Sequence, residues 1–163
     1  MNPPLALHRE AVTIVAASPQ ELFTFLDDHQ RLSAHMQKTS LMMAGATMKI
    51  ETDSQRGQAV GSRIRMFGRL LGIPLSVDET VIDYEPPFHK SWQTCGGPRL
   101  WVIGQYRMGF ELSPSAGKTR LRVWIEYDHP PGLAGRWLGK ILGKVYANWC
   151  VTRMAKDAAS AFH

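Results

Sequence analysis

The last thirty residues constrain this chain most. From Gly132 to about Phe162 apolar residues recur at helical spacing, whereas the stretch from about Val12 to Asp128 holds a short helical passage followed by strand-like segments. A long helix closing an antiparallel sheet is a shape that encloses a cavity. His129-Pro130-Pro131-Gly132 ends the last strand and fixes where the helix begins, since proline has no amide to donate. Stepping about 100° per residue, Trp137, Leu138, Ile141, Leu142, Val145 and Trp149 fall in one arc suited to a core or a cavity wall. Val151, Met154, Ala155, Ala158 and Phe162 drift off that arc, so the helix bends or changes what it packs against.

The front of the chain predicts a first strand over His8–Ala17, then a helix announced by Ser18-Pro19-Gln20-Glu21, a capping-box pattern with proline at the first helical position. Leu22, Phe23, Phe25 and Leu26 supply its apolar face, and a second short helix spans His29–Met36. Breaks at Gly57, Gly61, Gly72, Pro86-Pro87, Gly96-Gly97-Pro98 and Pro114–Gly117 then separate six strands, at 39–53, 58–69, 73–85, 88–95, 100–113 and 118–129. Short connections make this an antiparallel meander. At 163 residues, with no repeat, low-complexity tract or linker, the whole of 1–163 reads as one domain.

Nineteen Lys and Arg against fourteen Asp and Glu give a net charge of +5, which favours anionic partners. The arginines are scattered through strands instead of forming a basic stripe with interleaved aromatics, which argues against nucleic acid. Cys95 and Cys150 have neither disulfide-framework nor zinc spacing, the start of the chain lacks a signal-peptide pattern, and no apolar run approaches a membrane span of about 18 residues. A cytoplasmic protein without metal or cofactor is the expectation.

The order strand, two short helices, six strands and a long helix goes with Val-Ala-Ala-Ser-Pro-Gln-Glu-Leu-Phe at 15–23, a strand containing Gly61, Glu-Thr-Val-Ile-Asp-Tyr-Glu-Pro-Pro at 79–87, and Thr119-Arg120-Leu121. With these features the chain resembles the START-related SRPBCC superfamily, and within it the polyketide cyclase/dehydrase and lipid-transport branch. The resemblance covers about residues 10–160. It implies an α+β helix-grip fold: a curved antiparallel sheet of about seven strands around the C-terminal helix, with an apolar cavity between them. It also implies a hydrophobic ligand such as a lipid, quinone or polyketide. No catalytic motif is shared across the family, so no catalytic residue carries over.

Strand parity places Val102, Tyr106, Met108, Phe110 and Leu112 on one inward face and Leu121, Val123, Ile125 and Tyr127 on another. Combining these with the helical arc bounds a cavity by Tyr106, Met108, Val123, Leu138, Leu142 and Trp149, the last expected to report ligand occupancy. Tyr106 could offer its phenol to a ligand carbonyl; the plainer reading is a core tyrosine. Trp92, with no clean alternation around it, either stacks on a flat ligand or fills core volume. Glu79 turns inward if Val77 and Val81 mark the interior, but Ile82 and Tyr84 argue for the opposite register, and a solvated position is the plainer reading. His35 borders the cavity mouth in the resembling family, or is simply an exposed helix histidine. Met36, Met42, Met43, Met48, Met66 and Met108 fall near the predicted walls and would suit an irregular ligand or an irregular core alike.

Gly135, Gly139 and Gly143 recur on the helix side roughly opposite Leu138 and Leu142. Each costs about 1 kcal/mol relative to alanine, so a close approach is expected there. Beside Arg136, Lys140 and Lys144, this face is read as contacting a second copy of the protein or an anionic membrane surface, or else as letting the helix bend. Three functions follow: a carrier of a hydrophobic small molecule, a cyclase or dehydratase using Tyr106 with Glu79 or His35, and an interaction module. Convergence of two titratable side chains in the cavity separates the second from the first.

Overall fold

The structure, a computed structural model, describes residues 4–32, 34 and 47–162. β1 (Leu7–Val15) leads into α1 (Pro19–Leu26) and α2 (His29–Leu32), followed by β2 (Thr47–Thr52), β3 (Arg63–Leu70), β4 (Ile73–Glu85), β5 (His89–Arg99), β6 (Tyr106–Ser115) and β7 (Lys118–Tyr127). The chain closes with α3 (Leu133–Leu138), a π-helical segment over Gly139–Gly143, and α4 (Lys144–Ala161). All seven strands form one antiparallel sheet in the order β1-β7-β6-β5-β4-β3-β2. The sheet curves around α4, which packs mainly against β1 and β7, and the expected helix-grip architecture is what the chain adopts.

Local chemistry explains the boundaries. Glu21 N donates to Ser18 Oγ (3.3 Å) and Ser18 N donates to Glu21 Oε2 (3.0 Å), so the capping box starts α1 where the sequence places it. The second helix is described only to Leu32; Met36, Met42, Met43 and His35 lie outside the described residues. The strand expected from residue 100 begins at Tyr106, because residues 100–105 form a loop whose Val102 carbonyl runs beneath the last helix.

The conflicting parity of β4 has a physical cause. Leu75, Val77, Glu79 and Val81 point inward, and a register shift between Val81 and Asp83 then inserts one extra residue. Beyond this bulge the parity inverts and Tyr84 turns to the interior, so both readings of the strand hold, on opposite sides of the bulge.

The helical arc is the principal correction. Trp137 (72 % exposed), Ile141 (54 %), Leu142 (45 %) and Val145 (53 %) face solvent, while Leu138 and Trp149 are only half-buried. The buried face of α4 is Ala147, Cys150, Val151, Met154, Ala155 and Ala158, residues that drift off the arc. Gly139 and Gly143 are buried, so the glycine face is no outward contact surface. A Cβ at Gly143 would lie 2.7 Å from the Val102 carbonyl oxygen, one at Gly139 2.8 Å from Pro130 Cδ, and one at Gly135 3.0 Å from Pro130 Cβ. A side chain at Gly143 would have to displace backbone, and one at Gly139 or Gly135 the Pro130 ring, so this part of the helix turns its small residues inward and its large apolar ones outward.

Candidate functional site

Between β3–β7 and α4 lies a cavity of about 40 Å³ lined by Met66, Val77, Glu79, Trp92, Leu100, Ile103, Tyr106, Met108, Ile125, Tyr146, Cys150 and Met154. It has room for water, and is about an order of magnitude below the volume that holds a drug-sized ligand. Its walls are apolar except at one end. There the Tyr106 hydroxyl donates to Glu79 Oε1 through a short hydrogen bond, and Glu79 Oε2 lies 3.5 Å from His29 Nε2.

Each of these groups is held by the fold. Glu79 (1 % exposed) is aimed inward by the alternation of β4 ahead of the bulge, and His29 by the short connection between α1 and α2. The His29 ring meets Trp92 edge-on, with centroids 4.9 Å apart. Burial, reinforced by the adjacent carboxylate, holds the Tyr106 phenol well above its ordinary pKa, so it is a proton donor at neutral pH. Burial likewise raises Tyr146 and pushes the Cys150 thiol up to about 12, which keeps both neutral. Glu79 Oε2, on the cavity wall, is buried without a hydrogen-bond partner and leaves acceptor capacity at its polar end, while His29 Nδ1, also buried and unpartnered, lies towards Gly57.

A second buried polar cluster lies towards α1. Lys90 Nζ donates to Asp27 Oδ1 (2.8 Å), and the Tyr84 hydroxyl donates to Asp27 Oδ2 (2.6 Å). Desolvation lowers the Lys90 pKa against the raising effect of Asp27. Phe23 packs edge-on against both Tyr84 and Phe110, closing the space between this cluster and the sheet.

Of the residues singled out in the sequence, Trp92, Tyr106 and Met108 line the cavity. Val123 is fully buried but is not on its wall: it pairs with Phe110, at the end that Phe23 already fills. Leu138, Leu142 and Trp149 are not on the wall either, because the inward glycines rotate them away; Tyr146, Cys150 and Met154 take their place. Trp149 instead lies beside Tyr146, with ring centroids 5.8 Å apart. Asp27, His29 and Lys90 were legible only as a helix terminus and an irregular strand. The one available signal was lysine sharing a face with Trp92 and Thr94. Among the described residues no group of three or more His, Cys, Asp or Glu could hold a metal ion, and no helix is long and apolar enough to cross a membrane.

The family described as polyketide cyclase / dehydrase and lipid transport matches residues 7–159. The fold is similar to that of the Zhui aromatase/cyclase from a Streptomyces species, with a TM-score of 0.69 and 13 % identity over 95 % of this chain and 92 % of that one. It is also similar to norcoclaurine synthase from Thalictrum flavum, with a TM-score of 0.64 and 19 % identity over 95 % and 85 %. A point mutant of that synthase in complex with a transition state analogue gives 0.66 and 17 % over 99 % and 96 %. No curated protein is significantly similar to the chain in sequence.

Proposed function

Because the chain belongs to the polyketide cyclase / dehydrase and lipid transport family, within the SRPBCC superfamily, we propose that it binds a hydrophobic small molecule between the sheet and α4. The ligand would carry one carbonyl or hydroxyl, addressed by Tyr106 and Glu79. The observation that carries this reading is a single polar end in an otherwise apolar cavity. Polar groups placed in this way orient a ligand, while apolar walls supply most of the burial. Opening the cavity to ligand size falls to Met66, Met108 and Met154, whose unbranched thioethers repack at low cost. A reducing compartment suits the reading, since Cys95 and Cys150 are both free.

Native mass spectrometry of freshly purified protein, followed by extraction, tests this directly. A co-purifying apolar molecule bearing a carbonyl or hydroxyl is expected, and its occupancy should fall in Tyr106→Phe. Only ligand-free protein, together with failure to bind 2-naphthol, would overturn the reading.

A second reading is favoured by the convergence of Glu79, Tyr106 and His29: an enzyme of cyclase or dehydratase type, as the sequence-based alternative has it, with His29 in the place given there to His35. Glu79 Oε2 would take a proton from carbon next to a carbonyl, and the Tyr106 hydroxyl would donate to the carbonyl oxygen. Exchange of the α-protons of 2-tetralone for deuterium, followed by NMR, separates the readings. A carrier leaves the exchange rate at its buffer value, whereas the enzyme accelerates it and Glu79→Gln abolishes the acceleration.

A further inference from the structure

The outward face of the last helix carries apolar side chains that the folded chain leaves uncovered. Leu133 (86 % exposed), Trp137 (72 %), Ile141 and Val145 recur every four residues through α3 and the π-helical segment into α4. Arg136, Lys140 and Lys144, all exposed, form a parallel row one position earlier. Gly135, Gly139 and Gly143 form a third row, packed against Pro130 and Val102. Successive residues step about 100° around a helix, so the apolar row lies nearly opposite the glycines and points directly away from the body of the protein, with the cations along its flank.

We propose that this face docks on an anionic membrane surface. Large apolar side chains beside a cationic row match a helix that lies in the plane of a lipid interface, the apolar side chains among the acyl chains and the cations at the headgroups. Charge decides against a second copy of the chain as occupant. No Asp or Glu occurs between Asp128 and Asp157, so two copies joined symmetrically through this face would set cationic rows together with no acidic residue of the segment to neutralise them. The overall charge of +5 has the same sign as the row. Tyr146, one residue past Val145, lines the cavity, so docking would bring the membrane beside a cavity wall; that link, unlike docking itself, rests on the ligand-binding reading.

Co-sedimentation of the full chain with vesicles tests the proposal, using phosphatidylcholine alone and phosphatidylcholine mixed with phosphatidylglycerol. The protein should pellet with the mixed vesicles and much less with the neutral ones. Neutralising Lys140 and Lys144 to Gln should lower partitioning about fivefold per lysine. Trp137→Ser with Ile141→Ser should abolish it, while Leu71→Ser, which removes an exposed leucine from the β3–β4 turn, should change nothing. Circular dichroism establishes that the variants are folded. Wild-type protein that stays in the supernatant with both vesicle types, or helix-face variants that partition like wild type, would overturn the proposal. So would a dimer in analytical ultracentrifugation that Trp137→Ser with Ile141→Ser converts to monomer, since the face would then be a subunit interface.

Discussion

The Tyr106 hydroxyl donates to the Glu79 carboxylate inside the sheet, at the polar end of a cavity whose other walls are apolar. Removing the phenol leaves a buried carboxylate short of a charge-assisted hydrogen bond, so Tyr106→Phe should cost about 1.5–3 kcal/mol of stability. Glu79→Gln keeps an acceptor for the phenol and should cost less. Replacing both partners, as Glu79→Leu with Tyr106→Phe, should cost less than the sum of Glu79→Leu and Tyr106→Phe alone, which a denaturant double-mutant cycle measures.

Lys90 and Asp27 form a buried pair at 2.8 Å. Lys90→Met would strand a buried carboxylate that keeps, among the described residues, the Tyr84 hydroxyl as its side-chain partner, with an expected cost of about 3–5 kcal/mol, and adding Asp27→Leu should recover part of it. The pH dependence has a definite sign. The folded-state pKa of Lys90 is lowered from 10.5, so the unfolded chain binds more protons below that value. Lys90 therefore makes stability rise with pH as pH approaches 10.5 from its depressed pKa, and Lys90→Met should lack that contribution in urea melts across the interval.

All four tyrosines, Tyr84, Tyr106, Tyr127 and Tyr146, have pKa values raised above 10.0, with desolvation the leading cause in each. A raised folded pKa contributes stability that is present below pH 10 and lost above it. Phenolate absorbance should therefore be almost absent from the native protein near pH 10 and should appear together with alkaline unfolding seen by circular dichroism. A tyrosine that ionises near 10 while the fold persists would contradict the placement.

Gly143→Ala should destabilise the protein by about 1–3 kcal/mol through overpacking against the Val102 carbonyl, although alanine is the better helix former by about 1 kcal/mol. Thermal melts read the sign directly. An increase in stability would mean that the helix does not lie this close to the loop.

Much of the fold was legible because its signals are local. The Ser18 capping box, the breaks at Gly72 and Pro86-Pro87 and the alternation of β6 and β7 each act over a few residues and stand where the sequence puts them, whereas the expected break at Gly96-Gly97-Pro98 lies inside β5. The helix face was read the wrong way round for a reason that is not local. Apolar periodicity identifies an amphipathic helix, but which side is buried depended here on the Val102 carbonyl and on Pro130, whose approach only glycine permits. Glu79 was ambiguous because a bulge splits one strand into two parities, and periodicity has no marker for a bulge without glycine. His29 and Lys90 reach the interior from a helix terminus and an irregular strand, where periodicity says least.

The central claim is that an apolar guest with one polar group enters the cavity between the sheet and α4. Methyl-labelled methionine NMR during titration with 2-naphthol tests it most directly. The account predicts shifts at Met66, Met108 and Met154, which line the cavity, with no comparable change at Met48, which is buried away from its wall. Tyr106→Phe should weaken 2-naphthol binding about tenfold, the loss of roughly one hydrogen bond, while leaving naphthalene binding unchanged. Unmoved Met66, Met108 and Met154 resonances at saturating 2-naphthol, or equal weakening of both probes, would contradict it.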